Sequence, residues 1–249
     1  MTGDAWKLET ERNCVNCVNE EPAGRRACPC AAPPLALRTV KKPSRPEIPR
    51  KAVYRLSIYL RCLLRLKENG LPTIASEALA RAAGVKSTQL RKDLAYFGTF
   101  GTRGLGYDVE QLAGRISKVL GTTRLQPVVL VGVGNLGAAL LTYQGFGPEG
   151  FEVVAAFDAE PLKARTRTPF PHILPMSDLP RLIRERSVRM AILTVPVTAA
   201  QEVANQLVSA GIVGVLNFAP IVLQVPEEVT VNSVNLAIEL ENLSYFIQG

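Results

Sequence analysis

Between Ile48 and Asn69 apolar residues fall at Val53, Leu56, Leu60, Leu63 and Leu66, close to the helical period, and Gly70 follows. The spacing predicts one amphipathic helix that stops at the glycine. Pro72 ends that segment. Ser76 then reads as the N-cap of a short helix through Leu79 to Ala83, and Ser87, after the turn Gly84-Val85-Lys86, as the N-cap of another. From Tyr96 to Leu112 the pattern changes to glycines alternating with aromatic and β-prone residues, which predicts a small hairpin. A further helix is expected from Asp108 to Leu120, with Asp108 and Gln111 in capping positions and Gly121 past its end.

After residue 125 the pattern becomes βαβ. Val128 to Val131 is a short β-branched run fit for a buried parallel strand, and VVAAF leads to Asp158 as a second. A helix at Ser177 to Arg186, a strand at Val188 to Val195, a helix at Thr198 to Ala210 and a strand at Val213 to Phe218 continue the alternation. The fold expected is α/β, a right-handed doubly wound parallel sheet of Rossmann type. The chain closes with LAIELENLSYFIQ, apolar at Leu236, Leu240, Leu243, Phe246 and Ile247, more apolar surface than a lone terminal helix keeps on one domain. It is expected to dock on another subunit, giving a homodimer.

Chemistry enters first at the glycines. Gly132, Gly134 and Gly137 form G-x-G-x-x-G directly after a strand and before a helix starting near Leu136. Gly132 permits the tight turn, Gly134 lets the backbone approach a pyrophosphate, and Gly137 lets the helix pack on the strand while its free N–H groups face the anion. Val133, Asn135 and Leu136 complete that turn. Asp158, about twenty residues on, can accept hydrogen bonds from the adenosine ribose and repels a 2′-phosphate, which favours NAD(H) over NADP(H). In such sheets ligands lie beyond the carboxyl ends of strands, which adds Thr194-Val195-Pro196 and Asn217-Phe218-Ala219-Pro220, with Tyr143 touching the nicotinamide end.

The second chemistry is basic. Between Ile48 and Tyr107 there are 11 basic and 3 acidic residues, whereas Asp108 to Gly249 carries 10 basic and 13 acidic, within a net charge of +7. A basic block beside a mildly acidic nucleotide block implies a polyanion-binding module joined to a small-molecule domain. Short helix, glycine turn and helix make a helix-turn-helix over about residues 59–98. In its second helix Leu90 and Leu94 share a face, which leaves Thr88 and Lys92 opposite and Gln89 and Arg91 at the flanks, residue types that read a major groove. Arg103 is expected at the hairpin tip, placed to enter a minor groove, so the unit reads as a winged helix. The candidate DNA contacts are Lys86, Ser87, Thr88, Gln89, Arg91, Lys92, Tyr96, Arg103, Gly104 and Tyr107. A three-helix bundle with a solvated basic face is the plainer alternative.

The 249 residues, 47% hydrophobic, suffice for more than one core. No apolar run approaches a membrane span, and Met1 to Arg12 lacks a signal-peptide core, so a cytoplasmic location is expected. Cys14, Cys17, Cys28 and Cys30 stand as C-x2-C-x10-C-x-C, a spacing that can hold zinc, although a Pro-containing extension with reduced thiols and no metal is the reading preferred for residues 1–47. The remaining divisions expected are 48–121, the DNA-binding domain and linker helix, 125–234, the NAD(H) domain, and 235–249, the dimerisation helix. An NAD-dependent oxidoreductase with an appended basic domain is the competing function. It lacks an evident second domain and proton donor, since His172, the sole histidine, lies in a Pro-flanked segment away from the pocket strands.

The segments QLRKDLAYFG, FGTRGLGY, VGVGNLGAALLTYQGF, ILTVP and GVLNFAP together resemble the Rex family of bacterial redox-sensing repressors, over about Ile48 to Ile247. The resemblance implies a winged-helix domain, a Rossmann domain that senses NADH/NAD+ without catalysing a reaction, and a C-terminal helix swapped between the subunits of a homodimer that leaves operator DNA when NADH binds. It also implies a switch pair. Many members carry aspartate where this chain has Asn235, and there it pairs with an arginine of the first helix in the DNA-binding form. The matching arginine here is Arg61, so an amide replaces the carboxylate.

Overall fold

The computed structural model describes residues 48–98, 100–101, 105–164, 168–170 and 172–247. The chain divides at Pro46, and all the described elements belong to the unit that follows, Glu47–Gly249. Its first half contains α1 (Arg50–Glu68), β1 (Thr73–Ile74), α2 (Ser76–Ala82), α3 (Ser87–Ala95), β2 (Tyr107–Asp108) and α4 (Val109–Leu120). Leu56, Tyr59, Leu60 and Leu63 of α1 pack with Leu79 of α2, Leu90 and Leu94 of α3, and Leu112 and Ile116 of α4 in one core. The buried stripe of α1 begins at Ala52 and includes Tyr59, while Val53, expected inside, is exposed.

Two expected caps are corrected. Ser76 and Ser87 are the first residues of their helices rather than the caps, and Ala75 and Lys86, which precede them, make no side-chain capping bond. Asp108 does cap α4, its carboxylate accepting from the Gln111 backbone N–H at 2.8 Å, and Gly121 closes that helix. The glycine-rich segment also pairs differently from expectation. Tyr107–Asp108 runs antiparallel to Thr73–Ile74, in register Ile74↔Tyr107, so its strand partner comes from the α1–α2 connection. Thr102, Arg103 and Gly104 lie outside the described residues, as do the four N-terminal cysteines.

The second half is a six-stranded sheet. It comprises β3 (Gln126–Val131), α5 (Asn135–Thr142), β4 (Phe151–Asp158), α6 (Pro161–Ala164), β5 (Ile173–Pro175), α7 (Leu179–Glu185), β6 (Met190–Leu193), α8 (Val197–Ser209), β7 (Gly214–Asn217), β8 (Thr230–Ser233) and α9 (Leu236–Ile247). Every pairing is parallel and the order is β5-β4-β3-β6-β7-β8, the Rossmann arrangement. Along each strand alternate residues take opposite faces. Val129, Val131, Ala155, Phe157, Ala191 and Leu193 meet α7 and α8 on one side. Val128, Leu130, Ala156 and Ile192 meet α5 and α6 on the other. That second face is left partly bare, as an apolar groove of about 300 Å³ that includes Val128, Phe146, Phe151, Met190 and Leu216. No residue of α9 is buried.

Candidate functional site: a dinucleotide crevice and a basic helix

The order in which the chain adds strands reverses between β3 and β6, and register brings four strand ends level there. Val131 lies opposite Phe157 on one side and Leu193 on the other, and Leu193 lies opposite Asn217. The residues just beyond continue the pairing. The Gly132 N–H donates to the Phe157 carbonyl at 2.8 Å, Thr194 N–H to the Val131 carbonyl at 2.9 Å, and Phe218 N–H to the Leu193 carbonyl at 2.9 Å. Glycine turn, Asp158, Thr194 and Phe218 therefore stand at one crevice, where open α/β sheets bind their ligands.

The turn is built for close approach. Gly132 has φ +98°, and a Cβ there would come within 2.7 Å of the Thr194 carbonyl oxygen. At Gly137 a Cβ would overlap the Gly132 carbonyl oxygen, so only glycine lets the first turn of α5 sit on the end of β3. The Thr194 hydroxyl donates to that same carbonyl at 2.7 Å and locks β6 to the turn. Gly134 precedes α5 with no side-chain cap, so the first N–H groups of the helix stay available to an anion.

Asp158 stands at the end of β4. Its Oδ2 accepts the Val133 N–H at 2.7 Å and its Oδ1 the Glu160 N–H at 2.8 Å. Each oxygen keeps a second lone pair, which suits a pair of ribose hydroxyls, and the fixed charge opposes a 2′-phosphate. Val133 itself is buried, while Asn135, Leu136 and Pro196 are exposed and Val195 half-buried. Tyr143 is exposed and meets the Phe146 ring edge-on at 5.1 Å.

Asn217 needs correction. It is fully buried, its amide donates to the Ala219 and Ile221 carbonyls at 3.0 Å, and its Oδ1 accepts the Ala219 N–H at 2.9 Å. Those bonds hold the loop carrying Phe218, Ala219 and Pro220. The asparagine side chain is thereby committed to shaping the loop at the crevice.

On α3 the buried Leu90 and Leu94 leave Thr88, Arg91 and Lys92 exposed, with Lys86 exposed just before the helix. Ser87, Gln89 and Tyr96 are half-buried, and Arg91 turns back along the helix, its Nη2 3.4 Å from the Ser87 hydroxyl. Tyr107 departs from expectation. Only 7% of it is exposed, and burial pushes its hydroxyl pKa up against the opposing influence of Arg91, so it is a packing residue of the domain core. Arg103 and Gly104 lie outside the described residues.

The sequence reading missed the residues that hold α3 in place. Asp93, 1% exposed, accepts from Arg55 Nε and Nη2, the latter at 2.7 Å, from the Tyr59 hydroxyl at 2.8 Å and from Gln89 at 2.8 Å. Burial acts to raise the Asp93 pKa, but the bonds from Arg55, Tyr59 and Gln89 outweigh it and keep the group below the ordinary carboxylate range. The bond to Asp93 holds Arg55 protonated, and burial followed by the same carboxylate pushes the Tyr59 hydroxyl well up. Asp93 sits one position before Leu94 and three after Leu90. A lone carboxylate beside an apolar stripe was the available signal.

Arg61 and Asn235 have other partners within one chain. Arg61 Nε lies 3.0 Å from Glu149 Oε1, both side chains being partly exposed, and Asn235 Oδ1 accepts the Ala237 N–H at 3.0 Å at the start of α9. The pair expected from the resemblance is not made in this arrangement. His172 is exposed, edge-on to Phe170. Among the described residues no cluster of metal-ligating side chains occurs, and no helix is long and apolar enough to cross a membrane.

Residues 47–95 match the family described as "Putative DNA-binding protein N-terminus", and residues 123–221 match the family described as "CoA binding domain". The chain is 50% identical over 201 residues to the redox-sensing transcriptional repressor Rex of Streptomyces griseus, a match covering 81% of this chain and 79% of that protein. Among solved structures it resembles RSP in complex with β-NAD+ and operator DNA, with a TM-score of 0.75, 34% identity, and 80% of this chain and 92% of that one covered. RSP in complex with β-NADH gives a TM-score of 0.71 and 32% identity over 81% and 95% of the two chains.

Proposed function

The chain belongs to the Rex family of redox-sensing transcriptional repressors, and from that premise we propose how this protein's own residues carry out the task. It represses transcription by binding operator DNA, and it senses the NADH/NAD+ ratio through its Rossmann domain. The α3 helix enters the major groove with Thr88, Arg91 and Lys92 toward the duplex, and Lys86 and Ser87 reach the backbone where the helix starts. The dinucleotide lies across the crevice at the β3–β6 switch point, its pyrophosphate over the uncapped start of α5 and its adenosine ribose on Asp158. The observation that carries this reading is the level alignment of Gly132, Asp158 and Thr194 in one chain with an exposed basic helix. The dinucleotide is read, not turned over. Its two oxidation states differ in charge and planarity at the nicotinamide, near which Tyr143 lies, and they shift DNA affinity only as far as they bind two protein arrangements differently.

The working unit is a homodimer. An α9 that buries none of its own residues and a sheet face with an apolar groove support exchange of that helix between two copies, which would also match two α3 helices to the halves of a palindromic site. The test of the DNA-binding surface is direct. Arg91→Ala and Lys92→Ala should each abolish binding to a duplex selected by the parent protein while leaving NADH binding unchanged by calorimetry. Parent-like duplex binding by both variants at moderate salt would overturn the assignment of α3.

A further inference from the structure

Gln89 and Asp93 lie one turn apart on α3, and the Gln89 amide nitrogen donates to Asp93 Oδ1 at 2.8 Å. The carboxylate is fully engaged. Oδ2 takes Arg55 Nε and the Tyr59 hydroxyl, while Oδ1 takes Arg55 Nη2 and Gln89. Being ionised and bound bidentately by a guanidinium, it can only accept hydrogen bonds. The Gln89 amide must therefore turn its nitrogen inward, because the flipped amide would set its carbonyl oxygen against a carboxylate oxygen.

This fixes what Gln89 has left to offer. One of the two amide N–H groups is spent on Asp93, which leaves one donor and the carbonyl acceptor. Adenine presents the complement in the major groove, the N6 amine as donor and N7 as acceptor, whereas guanine presents two acceptors, N7 and O6. A free glutamine can swing its nitrogen toward either guanine acceptor. A tethered one, with its nitrogen held toward Asp93, sets its carbonyl oxygen against the other guanine acceptor, which is the unfavourable pairing. Gln89 is half-buried in the first turn of α3, between exposed Thr88 and exposed Arg91, at the end of the helix that meets base edges in helix-turn-helix proteins.

We propose that Gln89 reads an adenine in the operator and that Asp93, anchored to α1 by Arg55 and Tyr59, is the positioning residue that makes this choice. The inference rests on the reading of α3 as the helix in the major groove.

The experiment begins with duplexes selected from a random pool by the parent protein and by Gln89→Ala, which removes the amide, keeps a strong helix former and leaves the Arg55 and Tyr59 bonds to Asp93 in place. The base pair whose preference disappears in Gln89→Ala marks the Gln89 contact, and it should carry adenine in the parent's selected sequence. Replacing that adenine with guanine, or with the purine analogue lacking the 6-amine, should weaken parent binding by roughly 5- to 150-fold and affect Gln89→Ala by no more than about threefold. In Asp93→Asn the new amide can donate to the Gln89 carbonyl, so Gln89 can turn, and the adenine-over-guanine ratio should fall about tenfold or more while NADH binding persists. A general loss of helix stability would lower affinity for all duplexes together and leave that ratio alone.

Guanine at the marked position, or indifference of the parent to loss of the 6-amine, overturns the proposal. So does sequence-specific binding in which Gln89→Ala loses no position. An unchanged ratio in folded Asp93→Asn removes Asp93 from it, and the base-analogue comparison stands without that variant if it does not fold. Failure of the parent to select any sequence would instead overturn the groove reading beneath it.

Discussion

Replacing Leu240 with glutamate puts a charge in the middle of α9, where the account places a subunit interface. The seven large apolar side chains from Leu236 to Ile247 are between 51% and 80% exposed in one chain, and Leu240 is at 66%. Covering such side chains is worth about 1.5 to 3 kcal/mol each when complete, so one helix contributes on the order of 10 kcal/mol once the part already covered in the single chain is allowed for. Reciprocal exchange doubles that to about 20 kcal/mol, against an association cost of about 4 to 15 kcal/mol, leaving about 10 kcal/mol and a dissociation constant on the order of tens of nanomolar. A glutamate at position 240 must be desolvated twice per dimer, at about 2 to 3 kcal/mol each, which moves the constant by roughly a thousandfold. Sedimentation velocity at about 10 μM should show a parent dimer and a Leu240→Glu monomer or rapidly exchanging mixture. Thermal unfolding of the monomeric unit should change little, because Leu240 is mostly exposed in its own chain. A parent monomer at that concentration, or a Leu240→Glu dimer as tight as the parent, would refute the reasoning.

The other predictions concern charge. Asp158→Ala should reduce the preference for NADH over NADPH by about tenfold or more, measured by calorimetry, since the 2′-phosphate no longer meets a fixed carboxylate. Asp93→Ala leaves the Tyr59 hydroxyl without an acceptor and Arg55 without its counter-charge, and should cost about 3 kcal/mol, less than full burial implies because Arg55 is 22% exposed. Tyr59→Phe should cost only about 1 kcal/mol in the same denaturant titration. With its pKa lowered from 3.8, Asp93 stabilises the fold fully above that value and loses the contribution as pH falls through its lower native value. Asp93→Asn should therefore flatten the acid limb of stability below about pH 4 and leave the slope at neutral pH alone. Asn235→Asp should tighten operator binding with NAD+ and raise the NADH needed for release, and should do neither in an Arg61→Ala background; because Glu149 already holds Arg61 in this arrangement, Glu149→Gln should enlarge the effect.

Periodicity and glycine chemistry made most of this legible. The α1, α4, α7 and α8 helices and the central strands β3, β4, β6 and β7 fall within a few residues of where the pattern puts them, because each buries an apolar stripe. The two edge strands were not read. Ile173–Pro175 carries a proline and Thr230–Ser233 is polar, since an edge strand has one free side and needs little hydrophobic signal. The G-x-G-x-x-G turn and Asp158 were visible because their chemistry demands particular residues at particular spacing. The burial of Asn217 and Tyr107 was not legible for the opposite reason, as residue types equally at home in a pocket or in a core, where only tertiary packing decides. The Arg55–Asp93 pair spans 38 residues, a separation at which no local pattern connects two side chains.

The central claim is that one protein couples the crevice at Gly132 and Asp158 to the groove-facing side of α3. Fluorescence anisotropy of a selected palindromic duplex, titrated with NADH at fixed NAD+, measures that coupling directly. Binding should be retained with NAD+ alone and lost as NADH rises, with NADPH far less effective, and Asp158→Ala should narrow the gap between the two cofactors. Duplex affinity unchanged across the whole range of NADH to NAD+ ratios, by a protein that binds both DNA and NADH, would contradict it.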